Sequence, residues 1–230
     1  VLIQRLRLAG LAVLVFHSAA VHAQLGGSIV AASDDRFRGV SLSGEEPSLR
    51  ATLSYEHSQG GYAGLSLASA ALESGPRRAA STAYAGYASR WSTGGAWDVG
   101  AVRTHFSGTQ RDDYGEIYGG LTGDRWSFRL YYAPNYFGRD VRTVYLDLGA
   151  ALPLNASLRA FAHLGVLTPV SGRPPDNAAR FFHDVRVGLG QRLNAVDLQL
   201  AWVGSGSGDA YAPVYGRHRN SVVLSVACNF

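Results

Sequence analysis

The feature that most constrains this chain is a period-two alternation of apolar and polar residues, recurring in segments of roughly nine to twelve residues. Leu49, Ala51, Leu53 and Tyr55 alternate with Arg50, Thr52, Ser54 and Glu56. Trp126, Phe128, Leu130 and Tyr132 alternate with Ser127, Arg129 and Tyr131, and Val196, Leu198, Leu200 and Trp202 with Asp197, Gln199 and Ala201. Glycine interrupts almost every window, and helical periodicity is nowhere sustained. About twelve strands are expected, near residues 27–38, 47–57, 62–70, 81–91, 95–106, 113–122, 125–133, 141–151, 156–167, 180–192, 195–204 and 217–230.

The links between these strands alternate in length. Gln59-Gly60-Gly61, Ser92-Thr93-Gly94-Gly95, Thr122-Gly123-Asp124, Pro153-Leu154-Asn155 and Leu193-Asn194 have tight-turn chemistry. Longer polar links lie around Ser41–Glu46, Ala71–Ala80, Ser107–Asp112, Pro134–Asp140, Thr168–Ala179 and Ser205–Gly216. A two-sheet sandwich would produce the same alternation of side chains. It has no reason to sort short links from long ones, whereas an up-and-down barrel does so by placing them at opposite rims.

The N-terminus points to export. Arg5 and Arg7 precede the apolar run Leu8–Phe16, and Val21-His22-Ala23 before Gln24 fits a small-x-small cleavage site. Residues 1–23 therefore read as a cleavable signal peptide and residues 24–230 as one domain. Without Arg5 and Arg7 the remaining chain holds 19 basic and 17 acidic residues, a balance that argues against nucleic acid as a partner. All the basic residues are arginine, and 28 glycines and 12 tyrosines suit close-packed strands with aromatic belts. One cysteine, Cys228, allows no internal disulfide and no cysteine metal site. No run of roughly 18 apolar residues follows the signal, so no transmembrane helix is expected. The expected fold class is all-β: an antiparallel up-and-down transmembrane β-barrel of about 12 strands, with both termini periplasmic. Val222, Leu224, Val226, Cys228 and Phe230 form one face of the last strand. Phe230 resembles the C-terminal assembly signal of bacterial outer-membrane barrels, which implies the barrel-assembly machinery, outer-membrane lipid and lipopolysaccharide as partners. Strand 217–230 should close against strand 27–38.

The segment Ser33-Asp34-Asp35-Arg36-Phe37-Arg38-Gly39-Val40-Ser41-Leu42-Ser43 resembles the opening signature of the proteobacterial TorF-like porin family, with Asp35 replacing an aromatic. The stretches Glu56–Gly64 and Asp113–Glu116 are similar to later blocks of that family. The resemblance implies an outer-membrane pore and carries no catalytic residues and no cofactor.

In a barrel the polar face lines the lumen. This places Asp34, Arg36, Arg38, Arg50, Glu56, Arg90, Glu116, Arg129, Asp147, Arg159, Asp184, Arg186, Arg192 and Asp197 in or near it. One reading is a narrow channel for passive diffusion of small hydrophilic solutes with a weak anion preference. Another is a structural or adhesive barrel whose interior is closed by Arg–acid pairs. Within the signature, Arg38, Gly39, Ser41 and Ser43 are expected to shape the first extracellular turn and to pair with internal acids. A third reading is a lipid hydrolase using His105 and Ser107, which share a strand face, with Glu116 on the next strand. Glu116 follows the inward phase, which disfavours it. His163 and His183 form no metal-ligand set, so neither a metal nor a catalytic group is expected.

Overall fold

The computed structural model describes residues 24–71, 78–92, 94–172, 181–206 and 218–230. The predicted signal peptide and most of three predicted links lie outside the described residues. The barrel strands are β1 (Gln24–Ala32), β4 (Ser48–Glu56), β5 (Gly61–Ala70), β6 (Arg78–Arg90), β7 (Ala96–Phe106), β8 (Thr109–Thr122), β9 (Trp126–Ala133), β10 (Val141–Pro153), β11 (Leu158–Gly172), β12 (Phe182–Leu193), β13 (Val196–Ser205) and β14 (Asn220–Asn229). They form a closed antiparallel barrel of twelve strands, each paired with its sequence neighbours and with β14 returning to β1. Two short strands, β2 (Arg36–Phe37) and β3 (Val40–Ser41), form a separate hairpin.

The seam joins Ser28 to Asn229 and Ala32 to Ser225 in register. It is tightened by Gly27 N–H donating to Phe230 O at 2.8 Å and Phe230 N–H to Gly27 O at 3.0 Å. Gly27 has no side chain because the Phe230 ring occupies that space. Closure leaves no strand edge bare, which is the condition for crossing hydrocarbon with strands.

The polarity of the wall is inverted relative to a soluble barrel. Leu25, Leu49, Leu53, Leu65, Ile117, Leu130, Leu164, Val187, Leu200, Val222 and Leu224 face outward and are exposed. Cys228 is exposed on the same outward face. Exposed Tyr55, Trp91, Trp97 and Trp126 cluster at the rim that carries Gln24 and Phe230, called here the terminal rim. Trp202 and Phe181 are exposed toward the opposite, far rim. Such an apolar band between aromatic girdles is the surface a barrel shows to lipid. Among the described residues no helix is long and apolar enough to cross a membrane.

The short turns gather at the terminal rim as expected. In the β12–β13 turn, Asn194 adopts φ +56°, a conformation asparagine tolerates well. At the far rim the sorting is incomplete. The expected link Ser107–Asp112 is mostly strand: β8 begins at Thr109, so β7 and β8 meet across Ser107-Gly108 alone, with Gly108 at φ +78°. The polar composition of Gln110, Arg111 and Asp112 reads as loop, but they belong to β8, whose register with β7 shifts between Thr104 and Phe106 before Phe106 pairs with Thr109.

Two other far-rim links turn inward. Ser33–Pro47 leaves β1 short of the predicted strand end at 38 and folds the β2–β3 hairpin into the lumen. Pro134–Asp140 carries a 3-10 turn, Tyr136–Gly138, whose Tyr136 and Phe137 are buried. Phe137 sits at φ +47°, a strained conformation for an aromatic residue. It is held by rings around it: Tyr114 at 4.6 Å, Phe106 at 5.9 Å and Phe37 at 6.4 Å between centroids. Val40, Leu42, Val141, Leu167 and Phe182 complete this core, which lies in the far half of the barrel.

Replacing Leu224 by Arg puts a charge mid-strand on the lipid face and is expected to cost about 2–4 kcal/mol. Replacing Ser225, whose side chain lines the interior, is expected to cost well under half of that. Denaturant unfolding of the barrel in lipid vesicles measures both; equal losses would contradict the inside-outside assignment.

Candidate functional site

The predicted signature residues build a self-braced hairpin. Asp34 is its hub: Oδ1 accepts from the hydroxyl of Ser41 at 2.6 Å and lies 3.1 Å from that of Ser43, while Oδ2 accepts from Arg36 Nε at 2.6 Å. Ser41 Oγ in turn accepts from Glu45 N–H, and Ser43 Oγ from Asp35 N–H. Arg50 on β4 reaches Asp35 at 2.6 Å. The outer end is tied to the last strand's approach. Glu45 accepts from His218 N–H at 2.6 Å, and its other oxygen lies 2.7 Å from the His218 ring. Burial works against the charge of Glu45, but these bonds and nearby Arg36 hold its carboxyl below the usual range.

The tip of the hairpin is Arg38-Gly39, at φ +50° and +77°. A Cβ on Gly39 would stand 2.6 Å from the Cβ of Asp184 and 2.8 Å from that of Ser205, so the tip lies directly on the wall formed by β12 and β13. Arg38 spans to Glu116 on β8 through two parallel bonds of 2.9 Å each. Its guanidinium carbon also stands 4.0 Å from the Tyr145 ring centroid, 4.6 Å from Phe37, 5.1 Å from Tyr131 and 5.4 Å from Tyr136. Burial favours a neutral Arg38, yet Glu116 outweighs it and keeps the group charged. Burial pushes the Tyr136 hydroxyl up to about 12.

Below the hairpin a cavity of about 1360 Å³ runs along the lumen toward the terminal rim. Arg36, Arg50, Glu56, Arg90, Glu116, Arg129, Asp147, Asp184 and Arg186 all line it. Several are paired. Arg129 donates to Asp98 at 2.8 Å. Arg159 makes a bidentate pair with Asp197 at 2.8 and 2.9 Å, beside the terminal rim. Arg192 faces Asp197 across the β12–β13 register. Arg186 donates to Gln199 at 3.1 Å and lies over the Phe161 ring, and among the described residues it makes no ion pair with a carboxylate. His163 connects β10 to β12, its ring nitrogens 3.4 Å from Asp147 and 2.9 Å from Asp184. Tyr145 donates to Asp184 at 3.0 Å. Among the described residues no group of acids and histidines has the arrangement of a metal site.

The His105–Ser107 pair is separated from Glu116. His105 is half exposed, and its Nδ1 lies 2.6 Å from Asp113 Oδ2. Ser107 Oγ accepts from Ala79 N–H at 2.9 Å. Glu116 points the other way, buried against Arg38.

The sequence matches the model of a bacterial family of unknown function, Gcw_chp, over residues 17–228. The chain belongs to the Gcw_chp family. The likeness to TorF-like porins remains a resemblance of the Ser33–Ser43 segment. No curated protein matches the chain. Among solved structures, the NanC porin superposes with a TM-score of 0.59 at 11% identity, covering 89% of this chain and 99% of that one. The KdgM porin gives 0.56 at 11% identity, with the same coverages. KdgM in complex with disordered oligogalacturonate gives 0.57 at 11% identity, over 89% of this chain and 99% of that one. At such identities the likeness establishes the shared barrel fold.

Sequence reasoning missed part of this Gcw_chp lumen. Asp98 is an inward residue of the predicted strand 95–106, and its phase alone could have found it. Tyr62 stands near a strand start, where an aromatic girdle would sit, but points inward and shares hydrogen bonds with Asp98 at 3.1 Å and Tyr118 at 2.7 Å. Tyr136 and Phe137 sit in a link of turn-like composition, so no periodicity marks them as core.

Glu116→Ala would leave Arg38 buried without a carboxylate, at an expected cost of about 3–5 kcal/mol. Adding Arg38→Leu should recover most of that loss, because no stranded charge then remains. Unfolding midpoints of the two variants in detergent decide this; an unchanged Glu116→Ala would remove the pair from its anchoring role.

Proposed function

We propose that this barrel is an outer-membrane channel for passive diffusion of small hydrophilic solutes, with its constriction at the Arg38–Glu116 hairpin. The observation that carries this reading is the cavity of about 1360 Å³, lined by charged and hydroxyl side chains, inside a lipid-facing wall. A barrel that served only as a support would be better filled, since burying charges costs several kcal/mol each even when they are paired. Twelve strands leave a lumen between the side-chain-filled small barrels and the open large ones, so one inward hairpin suffices to narrow it. The fold shared with KdgM and NanC porins supports the same reading. On this reading residues 1–23 are the removed export signal and Phe230 the assembly signal. Both termini face the periplasm, consistent with short turns at the terminal rim.

The ion pairs described above reduce the excess of positive charge in the lumen. The weak anion preference then rests mainly on Arg186 and on Arg90 near the terminal rim. A sealed structural barrel is the reading favoured by the aromatic core around Arg38.

Purified wild-type protein is expected to conduct ions in planar bilayers, and Arg38→Ala to raise the single-channel conductance. Silence of both proteins would select the sealed barrel. In a salt gradient the reversal potential should lean toward anions, and Arg186→Gln should move it toward zero. An unmoved potential would remove Arg186 from the conduction path.

A further inference from the structure

One row of directly paired residues crosses the sheet as Gln24, Glu56, Tyr62, Gly86, Gly100, Tyr118, Tyr131, Tyr145, Leu167 and Phe182. It begins at the terminal rim, where β1 starts and β4 ends, and finishes at the first residue of β12 on the far rim. Strands of a closed barrel tilt, so such a row climbs the wall by about 3 Å per strand. Its inward side chains therefore form a ramp of tyrosines rather than a ring. Tyr118 and Tyr131 are 5.4 Å apart between ring centroids, Tyr131 and Tyr145 6.1 Å, and Tyr84, one row above, lies 6.4 Å from Tyr62.

Glycines make room for four of these rings, those of Tyr62, Tyr84, Tyr118 and Tyr145. A Cβ at Gly86 would run into the Tyr62 ring, one at Gly100 into Tyr118, one at Gly64 into Tyr84, and one at Gly165 into Tyr145. Gly86, Gly100 and Gly64 are also the direct register partners of the tyrosines they accommodate. A ring lying over a neighbouring glycine turns its edge along the wall and its face to the lumen. These tyrosines all line the cavity. Groups that form hydrogen bonds border the faces: Glu56 at the foot, Asp98 and Arg129 midway, Asp147 near the top. At the top Arg38 covers Tyr131 and Tyr145, and midway Arg129 stands 5.1 Å from the Tyr118 ring centroid, so Tyr62 and Tyr84 carry the faces turned to a ligand.

Neighbouring aromatic faces at Tyr62 and Tyr84, continued by arginine-capped rings and flanked by polar groups, suit a ligand with apolar faces and hydroxyl edges, repeated along a chain. We infer that the tyrosine ramp is a binding track for linear oligosaccharides, their pyranose C–H faces stacking on the rings and their hydroxyls meeting the bordering acids and arginine. Solvation of a flexible hydrophilic chain is thus replaced stepwise along the wall, and no single site needs to hold it tightly. The inference rests on the channel reading for transport, but binding itself does not require conduction.

The test uses the full barrel in planar bilayers and in detergent, with maltohexaose as a neutral probe and hexagalacturonate as an acidic one. Either or both should interrupt the ion current reversibly and bind in calorimetry. Tyr62→Ala and Tyr84→Ala should each weaken binding by about tenfold, the scale of one aromatic contact. Tyr84→Phe keeps the face and should stay within a few-fold of wild type. Ion current without saccharide block or binding overturns the track and leaves the channel standing. Saccharide binding without any ion current overturns the channel and leaves the track standing. Binding that survives both alanine variants also overturns the track. If an alanine variant fails to fold, the wild-type calorimetry and Tyr84→Leu, which keeps bulk but removes the flat face, still decide it.

Discussion

Everything in this protein depends on closing the backbone hydrogen-bond ladder. In hydrocarbon an unpaired N–H or C=O has no water to turn to, and each costs several kcal/mol. The ladder therefore has to return from β14 to β1, and the exchange between Gly27 and Phe230 extends it to the final residue. Closure then sets the rest. It fixes which face of every strand meets lipid, tilts the strands, and creates an interior that is neither solvent nor core.

That interior is settled by side chains in two different ways. Near the far rim it becomes a conventional core, because two links bring in Phe37, Tyr136 and Phe137 to pack on Phe106 and Tyr114. Arg38 enters this core and meets Glu116 there. A buried guanidinium survives there because a carboxylate takes both its edges and aromatic rings take its faces. Toward the terminal rim the lumen stays open, and charges there meet each other across strands without full burial.

The small residues of the wall belong to the same logic. Glycine in a strand interior normally weakens it. In this barrel the missing side chains make room for rings from the next strand, so the loss in propensity is offset by ring-to-backbone packing. The glycine content that appears in the sequence as frequent interruption is, at Gly64, Gly86 and Gly100, half of a two-residue joint.

Alternation and turn chemistry by themselves determined the strand number, the up-and-down order, the seam and the apolar outer face, because those follow from local periodicity and from the demand for closure. The inward phase likewise puts Glu116, Arg129, Asp147, Asp184 and Arg186 on the face that lines the cavity. Only the tertiary structure decided that the far-rim links Ser33–Pro47 and Pro134–Asp140 turn inward. A loop residue has no period to reveal its direction, and Arg38, Tyr136 and Phe137 are fixed by partners between about 20 and 100 residues away in sequence, such as Glu116 and Tyr114. It also decided that Thr109–Asp112 belongs to β8 and that Tyr62 faces the lumen, since polar composition and a position near a strand end do not reveal which neighbour a backbone or a ring will meet.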